Sequence, residues 1–279
     1  MFTLLATGLS AGEPAAPSRP IQRELLLIPT RPGVIQPCLL FTESPAPKAV
    51  ALMFPGGAGV QNLRKRTLEQ VLGPKGNFLV RSTERFLSPE LAVAILDCPS
   101  DRSSGMDDTF RISDEHAADV RGLITHLRRR FPDVRSFLVG TSRGTVSAAY
   151  VAQELGAGVD GVVLTSSVFR ASPAQVGLSL FPFERLKPPL LLVHHAEDGC
   201  AACPFSQALK VAPKATLITV HGSIEPESGP CDPLSNHGYF GREAPVAEAI
   251  RNWILGRPHA REDSRAVSNG ARATRKCRH

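Results

Sequence analysis

Six stretches of the chain are apolar almost without interruption: Ala49 to Phe54, Leu91 to Leu96, Phe137 to Val139, Val162 to Leu164, Leu190 to Val193 and Thr216 to Val220. Continuous rather than alternating apolar character means burial on both faces, the pattern of parallel strands covered by helices. Upstream, Glu24 to Ile28 and Pro37 to Phe41 flank the turn signal Pro29-Thr30-Arg31-Pro32-Gly33 and predict an opening antiparallel pair. Between the strands the period changes to that of helices. Ser113-Asp114-Glu115 can cap a helix whose Ala117, Val120, Leu123, Ile124, Leu127 and Phe131 share one face, with Arg128, Arg129 and Arg130 at its negative dipole end. A last helix starts near Pro245, aligns Val246, Ala249, Ile250, Trp253 and Ile254, and stops at Gly256. Residues 77–87 predict one more helix.

Alternation of this kind gives an α/β fold: a mostly parallel central sheet of about eight strands flanked by helices, with ligands bound beyond the carboxyl ends of the strands. The chain therefore divides into residues 1–20, a Pro/Ala-rich linker or truncated signal segment, a domain over 21–256, and a tail over 257–279. Phe2 to Leu9 followed by Ser10-Ala11 has the look of the end of a secretory signal, though no basic segment precedes it. No run is long enough to span a bilayer.

The loops after the apolar runs hold the reactive residues. The run Phe137-Leu138-Val139 ends in Gly140-Thr141-Ser142-Arg143-Gly144, followed at once by small residues at helical spacing. A strand that turns directly into a helix bends so sharply that its apex is strained, and residues without side chains are needed beside it. Ser142 then stands above the sheet edge as a nucleophile, and the Arg143 amide, at the positive end of the new helix, is a candidate oxyanion donor. After Leu190 to Val193 comes His194-His195-Ala196-Glu197-Asp198-Gly199, where Asp198 is favoured over Glu197 as the carboxylate that orients an imidazole. In the long loop before the last helix, Ser235-Asn236-His237-Gly238 offers His237 as general base, with His221 as second choice, while His194 and His195 read as strand-end packing. Phe54-Pro55-Gly56-Gly57-Ala58-Gly59 allows close approach of a backbone N–H, so Gly57, with Ala58 as alternate, is the second oxyanion donor. Those glycines fit neither the phosphate-loop nor the dinucleotide fingerprint.

The order Ser142, Asp198, His237 on strand-end loops, with the glycine-rich loop upstream, resembles the α/β-hydrolase superfamily over residues 21–256, and the compact layout is closest to bacterial dienelactone-hydrolase and esterase-type members. The resemblance implies acyl transfer from a small-molecule acyl ester to Ser142 and then hydrolysis, with no cofactor and no metal. Three departures qualify it. Pro55 stands where many lipases and esterases have His, and the elbow carries Ser where dienelactone hydrolases have Cys. The segment Val168 to Pro189 is short for a lid, so only a short cap is expected. The same machinery serves amidases and peptidases, and a hydrolase scaffold can also be a non-catalytic binding protein.

Charge adds little. Of the net +6, about five charges sit beyond Gly256, where seven basic side chains face Glu262 and Asp263. That reads as a solvated, disordered tail, not a nucleic-acid surface, because nothing there stacks on bases. Arg143 and Arg102 are candidate binders of a substrate carboxylate, and the loop Cys98 to Ser113 is expected to wall the pocket. Of the six cysteines, Cys200, Cys203 and Cys231 cluster around the candidate site, and a bridge from the Cys200/Cys203 loop to Cys231 suits an oxidising compartment, periplasmic or secreted. Cys200-x-x-Cys203 with His194, His195 and Cys231 is a weaker metal motif, lacking a second regularly spaced ligand pair.

Overall fold

The computed structural model describes residues 20–257 except 173–175 and 223, so the expectations for the N-terminal segment, the basic tail and Cys277 lie outside the described residues. All eight expected strands form: β1 (Gln22–Arg31), β2 (Val34–Thr42), β3 (Ala49–Phe54), β4 (Leu91–Leu96), β5 (Arg135–Thr141), β6 (Gly161–Thr165), β7 (Leu190–His195) and β8 (Thr216–Val220). They make one sheet in the order β1-β2-β4-β3-β5-β6-β7-β8. β1 and β2 pair antiparallel, as do β2 and β4, and every other pairing is parallel. The opening strands are longer than their apolar cores, and the turn shrinks to Pro32-Gly33, with Gly33 at φ +72°. Pro29, Thr30 and Arg31 belong to β1, where the register slips between Pro29 and Arg31. A lone proline at a sheet edge removes only one donor, so the strand continues past it.

Period-two geometry explains the uninterrupted runs. Along β3, Val50, Leu52 and Phe54 join one core layer and Ala49, Ala51 and Met53 the other. The first layer packs against α5 (Asp114–Arg130) and α6 (Gly144–Leu155), and the second against α8 (Glu243–Leu255). All six apolar residues expected on one face of α5 are buried, and Ser113 caps it as read from the sequence. α8 starts two residues before Pro245, which stands in its first turn, where a missing N–H costs nothing. Its buried positions are Val246, Ala247, Ile250 and Ile254, while Trp253 is only partly buried.

The other helices are short: α1 (Leu68–Val71), α2 (Phe78–Arg81), α3 (Thr83–Phe86), α4 (Asp108–Arg111) and α7 (Phe205–Val211). The single helix expected over 77–87 is two single turns, α2 and α3, broken at Ser82. The buried Thr83 hydroxyl donates to the carbonyls of Leu79 and Val80 and competes with the helix ladder there. Among the described residues no helix is long and apolar enough to cross a membrane.

One topological fact positions the site. From β3 the chain moves one way to β4, then crosses back to β5 on the other side, so the order reverses at β3, and Phe54 pairs with Gly140. The loops leaving β3 and β5 diverge from that point and leave a crevice between them.

Candidate active site

Ser142 is the apex of the turn from β5 into α6, with φ +52°, a conformation costly for a residue with a side chain. Its surroundings hold it there. The Ser142 N–H donates to the Thr165 carbonyl (3.1 Å), and its own carbonyl accepts from the Thr145 N–H (2.9 Å) and hydroxyl (2.6 Å). A Cβ at Gly140 would lie 2.5 Å from the Gly144 carbonyl oxygen, and one at Gly144 would collide with that of Phe54. Both flanking glycines are therefore demanded by close packing of β3, β5 and α6. No side chain caps α6, which leaves the Arg143 amide open at its positive end among the described residues.

Asp198 follows β7. Its side chain is fully buried, and Oδ1 accepts the Cys200 N–H at 2.9 Å. His237 sits in a turn over Asn236–Gly238, with Nδ1 3.0 Å from Asp198 Oδ2. Its Nε2 is buried and has no partner among the described residues, Ser142 included. Ser142 and His237 nevertheless line one cavity of about 230 Å³ with Gly56, Gly57, Asn77, Thr141, Cys231, Asp232 and Pro233. The structure thus gathers Ser142, His237 and Gly57 at one crevice and sets Asp198 behind the imidazole. Glu197 is exposed.

The loop carrying His237 is tied down by residues with no motif. Tyr239, fully buried at φ +56°, donates its hydroxyl to the Val193 carbonyl (2.8 Å) and accepts the Ser166 N–H (3.0 Å). The Ser166 hydroxyl donates to the His237 carbonyl at 2.7 Å, and Arg81 Nη2 to that of Gly238 at 2.6 Å. The Cys200–Cys231 disulfide then joins the loop of Asp198 to the loop of His237. Of these ties, sequence reading found only the cysteines. The glycine-rich turn on the opposite wall is closed by the Gly59 N–H on the Gly56 carbonyl (3.2 Å), with Gly57 at φ +60°, and a side chain at Gly56 would strike Ser142 Cβ.

The family model that matches the chain, over residues 82–201, is described as serine aminopeptidase, S33. Among solved structures, dienelactone hydrolase from Anabaena variabilis is 15% identical and superposes with a TM-score of 0.54, over 85% of this chain and 98% of its own. Est1E from Butyrivibrio proteoclasticus gives 13%, 0.57, 83% and 98%, and XC6422 from Xanthomonas campestris, an α/β serine hydrolase without lid, gives 13%, 0.55, 87% and 100%. No curated protein sequence matches the chain.

The chain has the α/β-hydrolase fold.

On this fold several expected roles change. The Arg143 side chain is not open to a carboxylate: Nη2 and Nε bond Asp108 Oδ1 at 2.6 and 3.1 Å. Arg102 lies over the Phe110 ring, 4.9 Å from its centroid, away from the Ser142 cavity. His221 lines a separate groove between β8 and α8. His194 and His195 are buried strand-end residues, as expected, bonded to the carbonyls of Cys203 and Gly222, and burial lowers the His194 pKa. The loop 98–113 does not wall the cavity; it supports it from behind through Asp108 and Arg111. No described residue of 168–189 lines the cavity either, because Phe169, Leu178, Phe181 and Phe183 are buried in the core layer of α6. Cys200, Cys203 and His237 bring ligand atoms within 4.8 Å of one another, but the Cys200 sulfur is spent in the disulfide and burial raises the Cys203 pKa, so the set offers no ready thiolate.

Proposed function

We propose that the protein is a serine hydrolase that cleaves carboxylic esters through an acyl-enzyme. The observation that carries this reading is the Asp198–His237 pair opening onto the Ser142 cavity. With Nδ1–H donated to Asp198, a neutral His237 keeps the lone pair of Nε2 for the Ser142 proton. Ser142 Oγ then bonds the acyl carbon, the ester C–O bond breaks, and the proton passes from His237 to the leaving alcohol. Water, deprotonated by the same nitrogen, releases the acid. The Arg143 amide and the turn at Gly57 meet the negative oxygen, and Asp198 stabilises the imidazolium formed at each step. A second cavity of about 600 Å³, which shares Gly56 and Asn77 with the first, gives room for the acyl or alcohol group.

Labelling with a fluorophosphonate probe tests this. Wild type reacts, Ser142→Ala and His237→Ala do not, and His221→Ala reacts as wild type does. A folded wild type that stays unlabelled would favour a binding protein on a hydrolase scaffold. The description of the matched family as a serine aminopeptidase supports a second reading, cleavage of amides. Turnover of short acyl esters with none of the matching anilides separates the two. The Cys200–Cys231 bridge supports a periplasmic or secreted location, which thiol counting on protein trapped by alkylation in its native cells checks.

A further inference from the structure

Arg111 belongs to no motif, yet its side chain is fully buried beside the site. A guanidinium is rarely buried so completely without a specific task. Nη1 donates to the Ser147 hydroxyl on α6 at 2.9 Å, and Nη2 donates to the Gly57 carbonyl at 2.8 Å. Nε has no hydrogen-bond partner among the described residues, and the nearest carboxylate oxygen, Asp108 Oδ1, is 3.8 Å away and already engaged by Arg143. Burial, with the like charge of Arg143, lowers the pKa of Arg111 to about 10, which still leaves it a cation at neutral pH. Room has been made for it: a Cβ at Gly59 would lie 3.2 Å from Nη2 and 2.7 Å from Met106 Cε.

We propose that Arg111 is a positioning residue for the oxyanion turn, fixing and polarising the Gly57–Ala58 peptide from behind. The proposal rests on the serine-hydrolase reading and adds a residue to it. A trans peptide carries its C=O and N–H on opposite sides, and no described peptide is cis. A cation that holds the Gly57 carbonyl therefore directs the Ala58 N–H the other way. It also draws electron density along the amide, which makes that N–H a stronger donor. Gly57 lines the crevice and Ala58 beside it is exposed; the turn is held besides by the Gly59 N–H on the Gly56 carbonyl (3.2 Å) and the Met106 N–H on the Ala58 carbonyl (2.9 Å), and Arg111 is its charged anchor. The Asp108 carboxylate, shared between Arg111 and Arg143, links this turn to the residue next to Ser142. Both donors of an oxyanion hole are then registered on one partly buried ion network.

Arg111→Lys removes the fork that reaches Ser147 and Gly57 together while keeping the charge. We expect kcat on a short ester to fall about 10- to 100-fold with KM within threefold, because a preorganised donor acts mainly on the charge of the transition state. The Ki of an aliphatic trifluoromethyl ketone, which forms the tetrahedral oxyanion on Ser142, rises in parallel with the loss in kcat/KM. Leu127→Ala, a core variant remote from the site, lowers Tm at least as much but leaves that Ki unchanged. Circular dichroism verifies that each variant is folded, and if Arg111→Lys does not fold, Asp108→Asn, which strips the shared counter-ion, is measured against the same control with the same split expected. Unchanged kcat and Ki in the folded variant, or a Ki that moves with Tm in Leu127→Ala as well, would overturn the role of Arg111. A wild type that neither hydrolyses esters nor reacts with the fluorophosphonate would overturn the serine-hydrolase reading itself, and the role of Arg111 with it.

Discussion

The Phe54 carbonyl oxygen occupies the space that a side chain at Gly144 would need. One glycine on α6 therefore lets the edge of β3 approach the elbow, and the two strand-end loops that line the Ser142 cavity come together through that contact. Gly144→Ala should destabilise the fold by about 3 kcal/mol or more, because the obstacle is backbone and cannot rotate away. Urea unfolding measures it, and a loss under about 0.5 kcal/mol would mean that the elbow yields.

Asp198→Asn should leave the fold intact and lower kcat by about 10⁴-fold. An amide NH₂ opposite Nδ1 forces the imidazole proton onto Nε2, the nitrogen needed as acceptor. Burst kinetics with an activated ester checks this, and a variant within tenfold of wild type would assign the imidazole-orienting role elsewhere.

The Cys200–Cys231 bridge closes a loop of sequence separation 31, for which chain entropy gives about 3 to 4 kcal/mol of stabilisation. Removing it with a reductant or as Cys200→Ser/Cys231→Ser should lower Tm by roughly 5 to 10 °C. Turnover should fall too, since Cys231 lines the cavity and precedes His237 in the same loop. Equal melting temperatures with and without reductant would show the bridge to be idle.

His116 makes stability acid-sensitive. Its ring is fully buried between Phe54 and Phe110, with centroids 5.9 and 5.3 Å away, and neither nitrogen has a partner among the described residues. Burial, helped by Arg111 and Arg31, holds its pKa down to about 3 from 6.5. A folded pKa below the unfolded one means that the unfolded chain binds the extra proton. The contribution is complete above about pH 6.5 and is lost as pH falls toward 3, at roughly 2 kcal/mol by pH 5. His116→Phe should flatten the fall in urea midpoint between pH 7 and pH 5, and parallel curves for the two proteins would exclude His116 as its source.

The eight strands, the long helix α5, the elbow and the cysteine bridge between the loops of Asp198 and His237 were legible because each rests on local or periodic chemistry: unbroken apolar runs, a capped amphipathic stretch, glycines flanking a serine. The break at Ser82 was not, because it depends on where one hydroxyl bonds inside a turn. The side chains of Arg143 and Arg102 misled for a related reason. An arginine in sequence carries only its charge, and whether that charge is free or held by Asp108 or an aromatic ring is settled by neighbours 35 and 8 positions away.

By itself, then, the sequence determined the α/β layering and the residues available for chemistry, since hydrophobic period and backbone permissiveness are properties of consecutive residues. Tertiary structure alone decided which groups meet. It brought His237, and not His221, to Asp198, set Tyr239 and Ser166 behind His237, and buried Arg111 against the Gly57 carbonyl. Those relations depend on the reversal of strand order at β3 and on loops folded back over it, contacts between residues far apart in the chain that no local pattern encodes.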